Sequence, residues 1–125
     1  MSKRILVIDD EQDIRDVVCL CLEEFGGWHT DGAESGCEGL QKAAAEPWDC
    51  ILLDVSMPDM DGRAVYEHLQ AHQGTQSIPV ILLTAKVRAT DRDRVSTLGV
   101  AGLIAKPFDP ITLWQKVAQI LDWAT

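Results

Sequence analysis

Acidic side chains follow two apolar runs of the chain, at the points where predicted strands end. Asp9 and Asp10 come directly after the run at residues 5–8, and Asp54 comes directly after the run at residues 50–53. Carboxylate oxygens are ligands that Mg²⁺ prefers, and this ion usually takes only one or two of them from a protein. A carboxylate can also act as the nucleophile toward a phosphoryl group. These residue types therefore indicate metal-dependent phosphoryl chemistry.

Two further polar side chains stand at the ends of later apolar runs. Thr84 closes the run at residues 80–83, and Lys106 follows the run at residues 103–105. Ligand sites of open parallel sheets lie outside the carboxyl ends of the strands, so all these side chains should reach one mouth. The hydroxyl can bond one phosphoryl oxygen, and the ammonium can place a positive charge on another. Taken singly, such residues are more often turn, strand or surface residues, so it is their joint placement that favours a site.

The formal charges of this predicted site favour a divalent cation. Asp9, Asp10 and Asp54 together carry a formal charge of −3, and such a cluster either raises its pKa values or recruits a cation. Mg²⁺ and Lys106 together bring the formal sum to zero. A phosphoryl group, which the bare carboxylates would repel, can then approach.

The elements that must position these residues follow from the apolar pattern. Strand-like runs alternate with segments of helical spacing, which predicts one α/β domain over residues 1–125 with a parallel sheet between helices. The predicted strands are at residues 4–8, 28–33, 50–53, 80–83 and 102–105. Five helices are predicted. The first carries an apolar stripe from Ile14 to Phe25 and is ended by Gly26 and Gly27, and the second is opened by the capping pair Ser35 and Glu38. The third lies around Val65 and Leu69, the fourth lies at residues 88–98, and the last starts at Pro110.

Composition excludes several classes of protein. The net charge of −9, with a pI near 4.6, disfavours direct binding to nucleic acid. No apolar run approaches the length of a membrane span, and the start of the chain shows no signal-peptide core. The four cysteines form no C-x-x-C pair, which is typical of free thiols in a reduced compartment. We therefore expect a cytoplasmic protein without membrane contact.

Four motifs, in this order, resemble those of response-regulator receiver domains of two-component signalling. They are the acidic segment at residues 5–11, the D-x-x-M-P-x-x-D-G pattern at residues 54–62, Thr84 with Ala85, and Lys106 with Pro107 and Phe108. The resemblance covers essentially the whole chain. It implies a flavodoxin-like, doubly wound sheet of five parallel strands in the order 2-1-3-4-5, with five helices.

The resemblance also implies a function and roles for single residues. A phosphoryl group would pass from a phosphohistidine, on a sensor histidine kinase or a histidine phosphotransfer protein, to an aspartate of this chain. The chain would catalyse its own phosphorylation and dephosphorylation without being a turnover enzyme. The implied roles are Asp54 as phosphoacceptor, Asp10, Asp54 and the main-chain carbonyl of Ser56 as Mg²⁺ ligands, Asp9 as holder of a metal-bound water, and Thr84 and Lys106 as readers of the phosphoryl group.

The output implied by the resemblance is a change in protein contacts. Thr84, drawn toward the phosphoryl group, would bias a face formed by the fourth predicted helix, the fifth strand and the last helix. That face would bind an unidentified downstream protein, and the chain would be a monomer or a weak dimer through it. Many family members carry an aromatic residue where this chain has Leu103, so the resemblance does not by itself imply coupled switching of a threonine and an aromatic ring here. Whether the chain acts alone or belongs to a longer protein stays open.

Three alternative functions fit the sequence less well. A phosphohydrolase of the haloacid dehalogenase type places a second Asp two residues after its nucleophile, where this chain has Ser56. A flavodoxin-like nucleotide binder offers glycine or hydroxyl donors in its first loop, whereas residues 9–11 would repel phosphate. A module that has lost phosphorylation should not retain the full set from Asp10 to Lys106.

Overall fold

The computed structural model describes residues 3–55, 62–84 and 99–123 of the chain. Within these ranges strands and helices alternate, as the apolar pattern predicts. The strands are β1 (Arg4–Ile8), β2 (His29–Ala33), β3 (Cys50–Asp54), β4 (Val80–Thr84) and β5 (Gly102–Ala105). The helices are α1 (Gln12–Gly26), α2 (Gly36–Ala45), α3 (Gly62–Gln70) and α4 (Leu113–Leu121).

The five strands form a single parallel sheet. Its order is β2-β1-β3-β4-β5, which confirms the predicted doubly wound topology. Four of the five predicted helices lie in the described ranges, and the helix predicted at residues 88–98 lies outside them. Among the described residues no helix has the length and apolar character needed to cross a bilayer.

Apolar side chains project from both faces of the sheet, so the hydrophobic core has two halves. Along β1, Leu6 and Ile8 pack with residues of α2 and α3, whereas Ile5 and Val7 pack with residues of α1 and α4. All four of these side chains are fully buried. Burial on both faces explains why the central strands read as continuous apolar runs. It also holds their carboxyl ends at one rigid edge.

The ends of α1 and α2 follow local sequence signals. Gly27 ends α1 in the left-handed conformation, with φ of 71°, which glycine adopts without a steric penalty. The Ser35 hydroxyl accepts a hydrogen bond of 3.1 Å from the main-chain N–H of Glu38 and so caps α2. Both boundaries agree with the sequence-based expectation.

The last helix begins later than the sequence predicts. The regular helix starts at Leu113 instead of Pro110. The carboxylate of Asp109 accepts from the N–H of Ile111 at 3.0 Å, and its carbonyl accepts from the N–H of Thr112 at 3.2 Å. These bonds form a turn at residues 109–112, and the regular helix follows it.

Candidate functional site

The predicted site residues lie together at the carboxyl edge of the sheet. Asp9 directly follows β1, Asp54 ends β3, Thr84 ends β4 and Lys106 directly follows β5. Hydrogen bonds beyond the strand ends hold this edge in register, since the N–H of Lys106 donates to the carbonyl of Thr84 at 2.7 Å. The crossover order places β1 and β3 side by side at the centre of the sheet. Residues 45 positions apart thereby become neighbours.

Three carboxylates meet at the centre of this edge. One carboxylate oxygen each from Asp9, Asp10 and Asp54 lies within 4.8 Å of the others. Asp9 is fully buried, Asp54 is 3% exposed, and Asp10 is open to solvent. Burial of two like charges this close is costly unless cations neutralise them. The cluster therefore has the geometry and the charge to attract a metal ion.

Lys106 supplies one of those positive charges. Its Nζ donates to Asp9 Oδ2 at 3.3 Å and to Asp54 Oδ1 at 3.2 Å. Partial burial acts to lower the pKa of Lys106, but the hydrogen bonds and charges of Asp54 and Asp9 outweigh it and raise the pKa above its usual value. The side chain is 18% exposed, so the ammonium faces both the carboxylates and the mouth of the site. The peptide bond between Lys106 and Pro107 is cis.

Asp9 is held at each of its polar groups. Its main-chain N–H donates to the carbonyl of Ala33 at 3.1 Å, and Arg15 Nη1 donates to its carbonyl at 2.8 Å. Its carboxylate accepts from the main-chain N–H of Glu11 at 3.0 Å and from Lys106 at 3.3 Å. A buried carboxylate with this many partners has a fixed direction.

The main chain that carries Asp54 is approached closely by the first residue of α3. A Cβ added to Gly62 would lie 2.8 Å from Val55 Cα and 2.9 Å from the Asp54 carbonyl oxygen. The N–H of Gly62 donates to the carbonyl of Val55 at 2.9 Å. Only glycine fits between α3 and the end of β3, so Gly62 helps to place Asp54.

Thr84 lies at the same edge and is half-buried. In the strand registers Asp54 is opposite Leu83, and Thr84 is opposite Ala105, so the threonine stands between the phosphoacceptor candidate and the start of the Lys106 segment. The main-chain carbonyl of Ser56, predicted as a metal ligand, lies outside the described residues.

The donor set fits Mg²⁺. Asp9, Asp10 and Asp54 contribute three formal negative charges and Lys106 one positive charge, which leaves −2 at the site before a divalent cation binds. Carboxylate oxygens suit magnesium, and the exposed Asp10 gives access to a hydrated ion. A divalent cation brings this formal sum to zero, so a phosphoryl group would no longer approach a net negative site.

Sequence reasoning gave no positioning role to two residues, Arg15 and Gly62, although the second belongs to the motif at residues 54–62. Arg15 and Gly62 contact the main chain next to Asp9 and Asp54. A sequence signal existed for the first, because a glycine inside a strand, here Gly32, often marks a close approach by another group. That group is the side chain of Arg15.

Comparison with known proteins agrees with this geometry. The family described as "Response regulator receiver domain" matches residues 5–118. The phosphate regulon transcriptional regulatory protein PhoB of Escherichia coli is 37% identical over 122 residues, which are 97% of this chain and 52% of that protein. The chain thus spans about half the length of the curated relatives it matches.

Solved structures show the same likeness. A chemotaxis response regulator of Vibrio cholerae superposes with a TM-score of 0.88 at 28% identity, covering 96% of this chain and 99% of that one. The signal receiver domain of a signal transduction histidine kinase from Syntrophus aciditrophicus superposes with a TM-score of 0.81 at 30% identity, covering 97% and 91%. The flavodoxin-like fold, the parallel order of strands and the acidic cluster all agree with these matches. The chain belongs to the response-regulator receiver domain family of two-component signalling.

Proposed function

We propose that this chain is a phosphoacceptor: a phosphoryl group passes from a phosphohistidine of a partner protein to Asp54 when Mg²⁺ is bound. The carboxylate oxygen of Asp54 attacks phosphorus, and the bond between phosphorus and the imidazole nitrogen breaks. The imidazole keeps the electron pair of that bond and leaves as a neutral ring, because its other nitrogen carries a proton. Bound Mg²⁺ would neutralise charge on the phosphoryl oxygens, as in other phosphoryl transfers. Asp9 and Asp10 would hold it together with Asp54 and the Ser56 carbonyl.

The observation that carries this proposal is the pairing of Lys106 with two buried carboxylates. Its Nζ lies 3.2 Å from Asp54 Oδ1, so the ammonium stands where a phosphoryl oxygen on Asp54 would need a positive charge. Thr84, at the end of the neighbouring strand, would donate its hydroxyl to another phosphoryl oxygen. The nucleophile, the metal ligands and the groups that would bind the phosphoryl oxygens then lie at the same mouth of the sheet.

This reaction suits a signalling domain better than an enzyme that turns over a free substrate. An acyl phosphate on Asp54 is a covalent state of the chain itself, which the chain forms and hydrolyses. Its role is to change the protein contacts of the domain, which we take to extend over residues 1–125. We place it in the cytoplasm, supported by the free thiols Cys19, Cys21, Cys37 and Cys50.

A groove beside the site supports a protein donor. A cavity of about 670 Å³ lies between α1 and the segment after β5, and its walls include Val17, Phe108 and Lys106. Lys106 lines the groove and also bonds Asp54, so a protein docked in the groove would reach the carboxylate site. Val17, 45% exposed, offers it an apolar contact. We propose that the histidine kinase or phosphotransfer protein docks here.

The test of the acceptor role uses a small donor, so it does not depend on knowing the kinase. The purified chain is incubated with acetyl phosphate and MgCl₂, and its intact mass is measured. We expect one added phosphate in wild type, none after chelation with EDTA, and none in Asp54→Ala or Asp54→Asn. No added mass in wild type with any phosphodonor would refute the proposal, and steady release of phosphate from unrelated monoesters would favour a phosphohydrolase.

A further inference from the structure

Arg15 makes a contact that the proposed chemistry does not use, with the loop at residues 9–11, which contains the metal-ligand candidates Asp9 and Asp10. Arg15 is the fourth residue of α1, at the end of the first turn, and its Nη1 donates to the main-chain carbonyl of Asp9 at 2.8 Å. The side chain is half-buried. An arginine that bonds a main-chain carbonyl next to two metal-ligand candidates can fix the path of the loop without touching the ion.

The bond replaces a missing rung of the sheet. In the hydrogen-bond ladder between β1 and β2, the N–H of His29 donates to the carbonyl of Lys3, and the N–H of Asp9 donates to the carbonyl of Ala33. In a parallel ladder with this spacing, the next donor would be the N–H of Ser35. Ser35 is instead the N-cap of α2, and the Asp9 carbonyl accepts from Arg15. The guanidinium thus continues the ladder where β2 has ended.

Gly32 provides the path by which Arg15 reaches this carbonyl. A Cβ on Gly32 would lie 2.8 Å from Arg15 Cδ and 3.0 Å from Arg15 Cγ. The arginine stem therefore lies directly on the main chain of β2, in space that any larger residue would occupy. This explains a glycine inside a strand, where it otherwise weakens pairing.

We propose that Arg15 and Gly32 form a positioning pair that sets the main chain of residues 9–11 for Mg²⁺ binding. The inference rests on the proposed function, because it concerns the same metal site. Asp10 is exposed, so the direction of its carboxylate depends on the main chain of this loop. Without the guanidinium, the Asp9 carbonyl loses this donor and the loop samples other orientations. The carboxylates are then no longer preorganised for the ion.

The test measures metal affinity directly, by calorimetric titration of the metal-free protein with MgCl₂. Arg15→Met keeps the stem but removes the donors, and Gly32→Ala keeps the donors but displaces the stem. We expect each to weaken Mg²⁺ binding by about tenfold, as is typical when a partner behind a metal ligand is lost. The double variant should bind no more weakly than the weaker single variant, because both changes break one contact.

A control and a rescue separate the loss of this contact from general destabilisation. Arg4→Met removes the same charge at the start of β1, roughly 16 Å from Asp9 at about 3.3 Å per strand residue, and should leave Mg²⁺ affinity unchanged. Arg15→Lys, which keeps a donor on a stem of similar reach, should recover most of the lost affinity. Amide exchange of residues 10 and 11 in the metal-free protein should speed up in Arg15→Met and not in Arg4→Met.

The outcomes distinguish this inference from the function on which it rests. If wild type binds Mg²⁺ and accepts phosphate while Arg15→Met matches its affinity, the inference is wrong and the proposed function stands. Independent, additive losses in the two variants would also overturn the pairing. If wild type binds no Mg²⁺, the proposed function fails and the inference fails with it. Should Gly32→Ala not fold, the comparison of Arg15→Met with Arg15→Lys decides the matter.

Discussion

Lys106 reduces the electrostatic repulsion between two buried carboxylates. Asp9 and Asp54 have almost no exposure, and both accept a hydrogen bond from its Nζ. Removing one partner from a buried charge network leaves the others uncompensated, which costs more than the network contributes net. The lysine therefore stabilises the metal-free site, and the proposed role in reading phosphate uses the same ammonium.

Lys106→Met should destabilise the metal-free protein, and the loss should depend on pH. The free energy of unfolding should fall by about 1.5–3 kcal/mol at neutral pH, the range for hydrogen bonds to charged groups. Because the folded protein raises the pKa of Lys106, its contribution is fully present below the usual value of 10.5 and is lost as pH rises through the higher folded value. Urea titrations of both proteins from pH 7 to 11.5 measure the difference.

The difference between the two proteins isolates Lys106 from other groups that titrate at alkaline pH. Burial also raises the pKa of Tyr66, and both proteins carry that residue. A stability difference that stays constant across this pH range would contradict the assignment. Addition of MgCl₂ at neutral pH should shrink the difference, since the ion neutralises the same carboxylates.

Individual helices act on the site through residues in their first two turns. α3 begins at Gly62 against the main chain of residues 54 and 55, and α1 brings Arg15 to Asp9 and Val17 to the groove. In each case the element's axis is set by core packing on one face of the sheet. The functional contact is then made by one residue near the helix start. Changes at these starts should affect the site while leaving the sheet intact.

Gly62→Ala should disturb the site through α3. The added Cβ would meet Val55 Cα at 2.8 Å, so the helix start or the end of β3 must move. We expect a loss of stability of about 1–3 kcal/mol, the usual cost of overpacking, together with slower phosphorylation by acetyl phosphate. Gly74→Ala is the matched control, because its Cβ would meet no atom within 4 Å. Equal phosphorylation rates in the two variants would show that α3 does not position Asp54.

Val17→Glu should affect phosphorylation by a protein donor without affecting phosphorylation by acetyl phosphate. A charge in the apolar groove should slow transfer from a phosphorylated histidine kinase, chosen because it labels wild type, by about tenfold, the effect of losing roughly 1.4 kcal/mol of contact. Phosphorylation by acetyl phosphate should not change. Phe25→Glu, at an equally exposed apolar position about 12 Å further along α1, should behave as wild type with both donors. Equal loss with both donors in Val17→Glu would argue for damage to the site itself.

At the scale of the whole molecule, the chemistry and the aromatic packing lie at opposite edges of the sheet. Trp28 directly precedes β2 and Trp48 lies two residues before β3, whereas the site lies at the opposite ends of β1, β3, β4 and β5. Trp28 packs edge-on against Trp123, with ring centroids 5.2 Å apart, and Trp114 lies 6.5 Å away. These rings join the end of α1 to α4. They should therefore report on folding and not on occupancy of the site.

Mg²⁺ should raise the thermal unfolding midpoint while leaving the native tryptophan emission nearly unchanged. An ion that binds only the folded chain stabilises it by about 2.7 kcal/mol at one hundred times its dissociation constant. Scans at increasing MgCl₂, followed by tryptophan emission and by circular dichroism, measure both quantities. In Asp10→Asn the same midpoint shift should need more Mg²⁺. A midpoint that does not respond in wild type would mean that the carboxylates hold no ion.

The sequence was informative where local chemistry coincides with the strand pattern. Asp54 and Lys106 could be assigned to one edge because the end of a buried parallel strand is visible in an apolar run that stops at a polar residue. The start of the last helix was misplaced because Pro110 is a good first helical residue in isolation. In the structure a turn that includes Asp109 occupies this position, and the regular helix starts after it. The turn depends on the direction of the Asp109 side chain, which the apolar periodicity does not encode.

The sequence by itself determined the type of fold and the types of group at the mouth, because apolar periodicity and charge are properties of the chain read in order. Only the tertiary structure decided how those groups meet: that Lys106 bonds Asp9 and Asp54 together, and that Arg15 crosses Gly32 to reach the Asp9 carbonyl. Such contacts join residues far apart in the chain, and their distances are set by the packing of whole helices against the sheet. No local pattern records that packing.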